Sequence, residues 1–249
     1  MNTLPIIYED ESLLLINKPA GITVNNSDTT AGQVTVQDFT QTYLEKELAQ
    51  VPTNTPPETD FYARAGIVHR LDKETSGILL VAKNETVFSA LQLEFKNREV
   101  HKTYRALAHG KIVPATGEIN VPVGRLPWNR RQFGVVAGGR ESVTTYTVIG
   151  YFRTNDERKE IVTLVELNPL TGRTHQIRVH LQYLGFPIFS DFLYAGRKTQ
   201  REDRLLLERV FLHAAAISFI HPVTKKRVDF EAPLPEELSR VMDHLVPIV

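Results

Sequence analysis

The chain contains 249 residues, with 29 basic and 29 acidic side chains and no cysteine. This balanced charge gives no overall signal for a polyanionic partner, so a nucleic-acid surface would have to be a local basic patch. The absence of cysteine excludes disulfide frameworks, thiolate metal sites and cysteine nucleophiles, and it fits a reducing compartment. The length allows one large domain or two small ones, and we predict one domain over residues 1–249.

The N-terminal residues contain no basic segment that leads into an apolar core, and no later apolar run approaches the length of a membrane span. We therefore expect a cytoplasmic protein that has no membrane partner. We also expect a monomer.

Two short apolar runs, Ile6–Tyr8 and Leu13–Ile16, flank a polar turn and predict a β-hairpin. The following segment, residues 17–21, contains Pro19 and ends the second strand. Lys18 within it is either a solvated turn lysine or a contact for a phosphate or carboxylate. Sequence alone favours the first interpretation.

Apolar side chains recur at helical spacing over residues 36–49, and the preceding Thr35 forms a pattern with Asp38 that is typical of a capping pair. We predict an amphipathic helix there. Residues 50–63 contain several prolines and are interpreted as an exposed excursion within the domain.

The stretch of residues 66–83 is the one around which we interpret the rest of the chain. It contains a polar cluster followed by Thr-Ser-Gly, which suits a turn, and then the apolar run Gly77–Ala82, which predicts a strand buried on both faces. Asp72 is therefore expected on a loop anchored by a rigid core element, where catalytic groups are often placed. An aspartate before such a turn is also often a cap, so both interpretations stay open.

The apolar pattern that follows Asn84 predicts a capped helix that ends near Asn97. His101–Ala108 then returns to the pattern of a strand. Tyr104 in that strand is interpreted as core or cross-strand packing, unless another argument places it beside Asp72.

Residues 122–140 form the most basic stretch of the chain and are interrupted by proline and several glycines. Arginines interleaved with aromatic side chains suit single-stranded or unpaired RNA, although a solvated loop is an alternative. The side chains concerned are Arg125, Trp128, Arg130, Arg131, Phe133 and Arg140.

The C-terminal half predicts more strands, over Ser142–Phe152 and Glu160–Leu167, and two further strands in the tail before a last short helix. Thr174 is predicted to cap a helix that carries Arg178 on the same face as a histidine. Two histidines in and beside this helix, at positions 175 and 180, lack the spacing of a helical zinc pair, so we predict no metal.

Five motifs of this chain, taken in order, resemble the RluA-type family of RNA pseudouridine synthases. The spacing matches nearly from end to end, and the five motifs together are much more specific than any one alone. They are Asn17-Lys18-Pro19-Ala20-Gly21, His69-Arg70-Leu71-Asp72, Lys102-Thr103-Tyr104, Gly172-Arg173-Thr174-His175-Gln176-Ile177-Arg178 and Leu212-His213-Ala214.

The resemblance implies an α+β fold with a mixed, largely antiparallel β-sheet, peripheral helices and a central RNA-binding cleft. It implies RNA as the partner, and neither a metal nor an organic cofactor. By resemblance, Asp72 is the catalytic aspartate, Tyr104 is the base that removes the proton from carbon five of the rotated uracil, and Arg178 is the ion-pair partner of Asp72. An ionised carboxylate suits a reaction that builds positive charge on the sugar, as in glycosidases.

A uridine in folded RNA must be flipped out before it can react, and the resemblance implies that Arg70 fills the vacated stack. Leu212 is implied to line the uracil pocket. The other predicted RNA-binding residues are Lys18, His69, Arg173, His175 and Gln176 of the motifs, and Arg125, Arg130, Arg131 and Arg140 of the basic stretch.

Many relatives carry a small N-terminal RNA-binding domain, whereas the motifs here begin within the first twenty residues. We therefore expect that domain to be absent, with target choice made by the catalytic domain. Ribosomal RNA is favoured as the target and transfer RNA is the alternative. Two other functions stay open, namely a non-catalytic RNA-binding or assembly protein on the same fold, and a hydrolase that uses Asp72 with a histidine.

Overall fold

A computed structural model of the chain describes residues 4–27, 30, 32–45, 60–157 and 159–248, with only the backbone at Arg130, Arg131 and Gln200. Residues 46–49 of the predicted helix and residues 50–59 of the predicted excursion lie outside the described residues. Within the described ranges, no helix is both long enough and apolar enough to cross a membrane.

The chain forms two compact units. The first consists of Met1–Val100 with Ala216–Ala232, and the second consists of His101–Ala215 with Pro233–Val249. Each unit combines antiparallel strands with helices, as predicted for an α+β chain. The single domain predicted for residues 1–249 stays a prediction.

The first unit is built on antiparallel strands that bury apolar side chains. The predicted N-terminal hairpin is confirmed as β1 (Ile6–Glu9) and β2 (Leu13–Lys18). β2 pairs with β3 (Ser76–Ala82), and every residue of β3 is buried, which confirms the predicted strand covered on both faces. The C-terminal half of β10 (Leu212–Ile220) pairs with β11 (Arg227–Glu231) in the same unit.

The described part of this unit also contains three helices. α1 (Val36–Tyr43) begins with the predicted capping box, because Asp38 and Thr35 each accept a hydrogen bond from the other's backbone N–H. α3 (Glu85–Asn97) is capped by Asn84, as predicted. Residues 60–63 of the predicted excursion are instead the single helical turn α2 (Asp60–Ala63), whose Phe61 is buried against α3 and the sheet.

The second unit is built on a larger antiparallel ladder. Its strands are β4 (His101–His109), β5 (Thr116–Asn120), β8 (Val143–Thr154), β9 (Ile161–Pro169) and β12 (Leu245–Ile248). β9 pairs with both β4 and β8, and β8 also pairs with β5 and β12. Its helices are α4 (Gln176–Tyr183), α5 (Arg197–Asp203) and α6 (Glu236–Asp243). The sequence analysis did not predict β5, β12 or α5.

The basic stretch is ordered as a hairpin in this unit. β6 (Val123–Leu126) and β7 (Asn129–Val135) pair with Arg125 opposite Phe133. This corrects the alternative of a solvated loop, since the backbone of residues 123–135 is held by strand pairing.

The start of α4 corrects the predicted cap at Thr174. The residue before the helix is His175, with a left-handed backbone (φ 57°) and no side-chain cap. The turn is closed instead by the Gln176 carboxamide, whose Oε1 accepts hydrogen bonds from Thr171 Oγ1 (2.7 Å) and Arg173 N (3.0 Å). The side chain of the first helical residue thus satisfies the turn in place of a side-chain cap at Thr174.

In the first unit, Asp10 joins the N-terminal hairpin to the β10–β11 turn. Its Oδ1 accepts hydrogen bonds from the Ser12 and Leu13 N–H groups (both 2.7 Å), and its Oδ2 contacts Tyr8 Oη (2.9 Å) and His221 Nε2 (2.8 Å). Nδ1 of His221 accepts two backbone N–H groups, so the ring proton lies on Nε2 and points at Asp10. Desolvation raises the pKa of Asp10, but these hydrogen bonds together hold it below its ordinary value.

We predict that Asp10→Asn lowers the free energy of unfolding at pH 7 by about 1–3 kcal/mol, because the side-chain amide N–H of the asparagine would face the His221 Nε2–H. The pKa of Asp10 is lowered in the folded state, so its contribution is present above the ordinary aspartate pKa and is lost as pH falls through the folded value. Thermal unfolding measured between pH 7 and pH 3 should therefore show the difference in unfolding free energy between wild type and Asp10→Asn becoming smaller as the pH falls. The exposed Asp229→Asn is the control, and a gap that stays constant down to pH 3 would contradict the prediction.

Candidate active site

Asp72 lies in the loop that leads into β3, with its side chain half-buried. Its carbonyl oxygen accepts the Thr75 N–H (3.1 Å), which closes the predicted turn, and the next carbonyl, of Lys73, accepts the Gly21 N–H (2.8 Å). The loop is therefore tied both to β3 and to the end of β2. This confirms the prediction that Asp72 lies on a loop anchored by a buried strand.

Lys18 at the end of β2 is 0% exposed. Its Nζ donates hydrogen bonds to the carbonyl oxygens of Pro19 (2.8 Å), Ile22 (2.9 Å) and Lys73 (3.2 Å). A buried ammonium is tolerated when such acceptors replace water. The interpretation of Lys18 as a solvated turn lysine is therefore wrong, because Lys18 holds the segment after β2 against the loop that carries Asp72. A contact of Lys18 with RNA stays a prediction.

His69 and Arg70 flank the loop in different ways. His69 Nε2 accepts the Leu80 N–H (3.0 Å), so the ring holds its proton on Nδ1, and the ring stacks on Phe95 (5.1 Å between centroids). His69 thus fastens the loop to β3 and α3, and a contact of this ring with RNA stays a prediction. Arg70 is exposed, as a residue that reaches into an RNA stack must be.

Tyr104 lies in the middle of β4 in the second unit, half-buried and opposite Leu167 of β9. Lys102 occupies the same face of the strand, since side chains two residues apart point to the same side. Burial lowers the pKa of the Lys102 ammonium to about 8, so a substantial fraction is neutral near that pH. The sequence analysis noted Lys102 in a motif but did not select it as a site residue.

Arg178 on α4 is buried and forms a two-point ion pair with Asp191. Its Nε contacts Oδ2 at 2.7 Å and its Nη2 contacts Oδ1 at 2.8 Å. Asp191 is 0% exposed and also accepts the N–H groups of Leu193 and Tyr194. Such planar pairing orients the guanidinium. The sequence analysis did not identify Asp191, because an aspartate after Phe189-Ser190 is not a distinctive sequence pattern. The pairing of Arg178 with Asp72 stays a prediction.

Tyr194 joins several of these groups. Its Oη accepts the Phe133 N–H of β7 (3.0 Å) and contacts His175 Nδ1 (2.9 Å), and the Arg178 guanidinium lies over its ring at 5.0 Å from the centroid. Gln132 Nε2 beside it donates to the Leu193 carbonyl (2.6 Å). His175, predicted to bind RNA, is thus held half-buried between the hairpin and α4, and its contact with RNA stays a prediction.

Gln176 is buried, and its carboxamide is used within the fold. Besides the two bonds at the start of α4, its Nε2 donates to the Val143 carbonyl and Thr144 Oγ1 (both 3.0 Å). All four hydrogen-bonding positions of this amide are thus used by protein groups, and a contact of Gln176 with RNA stays a prediction. Arg173 is half-buried, with Nε donating to the Glu141 carbonyl (3.1 Å).

The β6–β7 hairpin presents exposed cationic and aromatic groups. Arg125 is exposed and its guanidinium lies 4.9 Å from the centroid of the Phe133 ring. Trp128 at the tip is 79% exposed, which is unusual for a side chain with so much apolar surface. Arg140 is also exposed, and the side chains of Arg130 and Arg131 lie outside the described part of the structure.

Leu212, predicted for the uracil pocket, and His180, which was considered only as a metal ligand, are both buried in the second unit. Leu212 is buried at the start of β10 among the apolar side chains of that core, so its contact with uracil stays a prediction. His180 is buried, with its ring nitrogens near Thr144 Oγ1 and the Val121 carbonyl, and desolvation lowers its pKa. In the part of the chain that the structure describes, no group of three or more His, Cys, Asp and Glu side chains could hold a metal ion.

Comparison with known proteins agrees with this arrangement of motifs. A family model described as RNA pseudouridylate synthase matches residues 12–183. The chain is 37% identical to the uncharacterized RNA pseudouridine synthase YlyB of Bacillus subtilis, over 97% of this chain and 73% of that protein. It is 38% identical to ribosomal large subunit pseudouridine synthase D of Neisseria meningitidis, over 97% of this chain and 61% of that protein.

The fold is similar to that of a solved human protein, RNA pseudouridylate synthase domain containing 1. The TM-score is 0.72 at 28% identity, with 99% of this chain and 89% of that chain covered. The family match extends over most of the chain, and the identities exceed 30% over nearly its whole length. The chain therefore belongs to the RNA pseudouridylate synthase family, in its RluA-type branch.

Proposed function

We propose that this protein isomerises uridine to pseudouridine in structured RNA, with Asp72 as the catalytic carboxylate. The observation that supports the proposal is that Asp72, within the range that matches the family model, lies on a loop held by three hydrogen bonds. Lys18 Nζ binds the Lys73 carbonyl, Gly21 N binds the same carbonyl, and the His69 ring holds β3. A carboxylate on so rigid a support is suited to act on a substrate without costly rearrangement.

The reaction breaks the bond between N1 of uracil and C1′ of ribose and forms a bond from C5 to C1′. Positive charge that builds on the sugar is stabilised by ionised Asp72. Once the base has rotated, the Tyr104 oxygen takes the C5 proton while its own hydroxyl proton passes to N1, so the phenol is regenerated. N1 ends with a proton, so the product is an isomer of the substrate. Water must be excluded while the base is detached, because hydrolysis would release it.

The target must present the uridine outside its stack. The exposed Arg70, close to Asp72 in the same loop, has a planar guanidinium that is suited to occupy the vacated space. We further propose that the β6–β7 hairpin, through Arg125, Trp128 and Phe133, contacts unpaired RNA by stacking and phosphate pairing.

Ribosomal RNA is the proposed target, with transfer RNA as the alternative. The support is the similarity to the Neisseria relative, whose name describes a ribosomal large subunit enzyme. We propose that the protein acts as a monomer in the cytoplasm. Mapping pseudouridines by carbodiimide primer extension, in cells with and without the gene, would identify both activity and target.

Two other functions would give a different result in an activity assay. A non-catalytic RNA-binding or assembly protein would bind RNA without releasing tritium from uridine labelled at carbon five. A hydrolase would release free uracil or phosphate. Tritium release together with product chromatography separates all three.

We predict that Asp72→Asn abolishes tritium release while the dissociation constant for RNA stays within about threefold, because the change is isosteric and removes only the charge needed for the reaction. Asp229→Asn, an exposed aspartate of the same unit, is the matched control and should be fully active. Substantial turnover by Asp72→Asn under single-turnover conditions would refute the assignment.

RNA binding is predicted to depend steeply on salt although the chain is neutral, because phosphate contacts release counterions. Replacing Arg125 and Arg140 together by glutamine should reduce the slope of log affinity against log salt by about 1.4 for unpaired RNA. The exposed pair Arg227 and Arg240, replaced in the same way, serves as the control. An unchanged slope in the first variant would show that RNA follows another path.

Under this proposal Arg178 pairs with Asp72 and keeps it ionised. Removing a neighbouring cation raises a carboxyl pKa, so in Arg178→Leu the rate should fall away at a higher pH than in wild type on the acidic side. Because the change also leaves Asp191 as a buried unpaired carboxylate, circular dichroism must establish at each pH that the variant is folded. An acidic limb at the wild-type position would mean that Arg178 does not tune Asp72.

A further inference from the structure

Tyr194 lies in the segment between α4 and α5 and is almost completely buried. Its hydroxyl and its ring contact different partners. The hydroxyl contacts the hairpin at Phe133 N and the start of α4 at His175, whereas the ring lies under the Arg178 guanidinium. The roles of the two parts can therefore be separated by substitution.

The hydroxyl oxygen accepts the Phe133 N–H at 3.0 Å, so its own proton is available to His175 Nδ1 at 2.9 Å when that nitrogen is unprotonated. One oxygen thus joins β7 to the residue that precedes α4. The adjacent bond from Gln132 Nε2 to the Leu193 carbonyl (2.6 Å) attaches the same part of β7 to the same segment. The hairpin is fastened at this point by side chains, in addition to its own strand pairing.

The Arg178 guanidinium is buried between two groups: Asp191 binds its Nε and Nη2, and its Cζ lies over the Tyr194 ring, 5.0 Å from the centroid. A two-point ion pair and a cation–π contact together restrict the movement of a planar cation. Asp191 is oriented in turn by the backbone N–H groups of Leu193 and Tyr194. The segment 191–194 therefore determines where the guanidinium lies.

We propose that Tyr194 is a positioning residue that serves two tasks, fixing the β6–β7 hairpin through its hydroxyl and the Arg178 guanidinium through its ring. The proposal rests on the proposed function, in which the hairpin contacts RNA and Arg178 serves the reaction. It follows that loss of the hydroxyl affects RNA binding, whereas loss of the ring also affects turnover.

The test compares Tyr194→Phe, which keeps the ring, with Tyr194→Leu, which removes both functions. Hydrogen exchange of residues 123–135 and the NMR signal of the Arg178 Nε–H are measured without RNA. The dissociation constant and the single-turnover rate constant at saturating RNA are then measured on one structured RNA. Tyr151→Phe is the matched control, because its hydroxyl donates to the Ile112 carbonyl (2.7 Å) away from the hairpin.

Tyr194→Phe should accelerate exchange at Phe133 and weaken RNA binding by about three- to tenfold, with the saturated rate constant within about twofold of wild type. Tyr194→Leu should show the same exchange and binding effects, faster exchange of the Arg178 Nε–H, and a rate constant lower by about tenfold. Tyr151→Phe should leave all four measurements unchanged.

Unchanged exchange in the hairpin of Tyr194→Phe, or equal losses of turnover in the two variants, would overturn the proposal. A wild-type protein that forms no pseudouridine while the exchange effects appear as expected would refute the proposed function and leave the positioning role intact. Faster exchange throughout Tyr194→Leu, at sites far from the hairpin and Arg178, would show general unfolding and count against it as well.

Discussion

The candidate active site depends on burying cations against oxygen atoms. Removing a charged group from water costs several kcal/mol unless the protein supplies close partners. In the first unit, Lys18 is fully buried and binds the carbonyls of Pro19, Ile22 and Lys73, which joins the end of β2 to the loop that carries Asp72. If the loop moved away, the buried ammonium of Lys18 would lose carbonyl acceptors that replace its water. This cost holds the loop in place.

The second unit uses the same principle with a different cation. Arg178 is buried, and the two oxygens of Asp191 contact its Nε and Nη2. The planar guanidinium of Arg178 fixes the orientation of the pair through two hydrogen bonds, which an ammonium could not do. The compact ammonium of Lys18 can instead donate to three separate carbonyl oxygens. The choice of lysine in one place and arginine in the other thus matches the geometry of the acceptors.

The elements with strong local signals were predictable from sequence. Capping residues at Thr35 and Asn84 and the continuous apolar run of β3 each correspond to the structure that local preferences favour. The short edge strand β12 contains Pro247 and was not predicted, because its extended conformation depends on pairing with β8 rather than on its own composition. The β6–β7 hairpin at residues 123–135 was also not predicted, because its glycines and proline are typical of a loop.

The sequence by itself determined the family and the anchored position of Asp72, because the order and spacing of motifs and the apolar periodicity can be read along the chain without knowing its tertiary contacts. Only the tertiary structure decided what the polar motif residues do. Lys18 and Gln176 look like surface groups in sequence, yet their polar atoms are satisfied by distant backbone and side-chain partners. Likewise, the pairing of Arg178 with Asp191 depends on where the chain returns after α4, which no local pattern encodes.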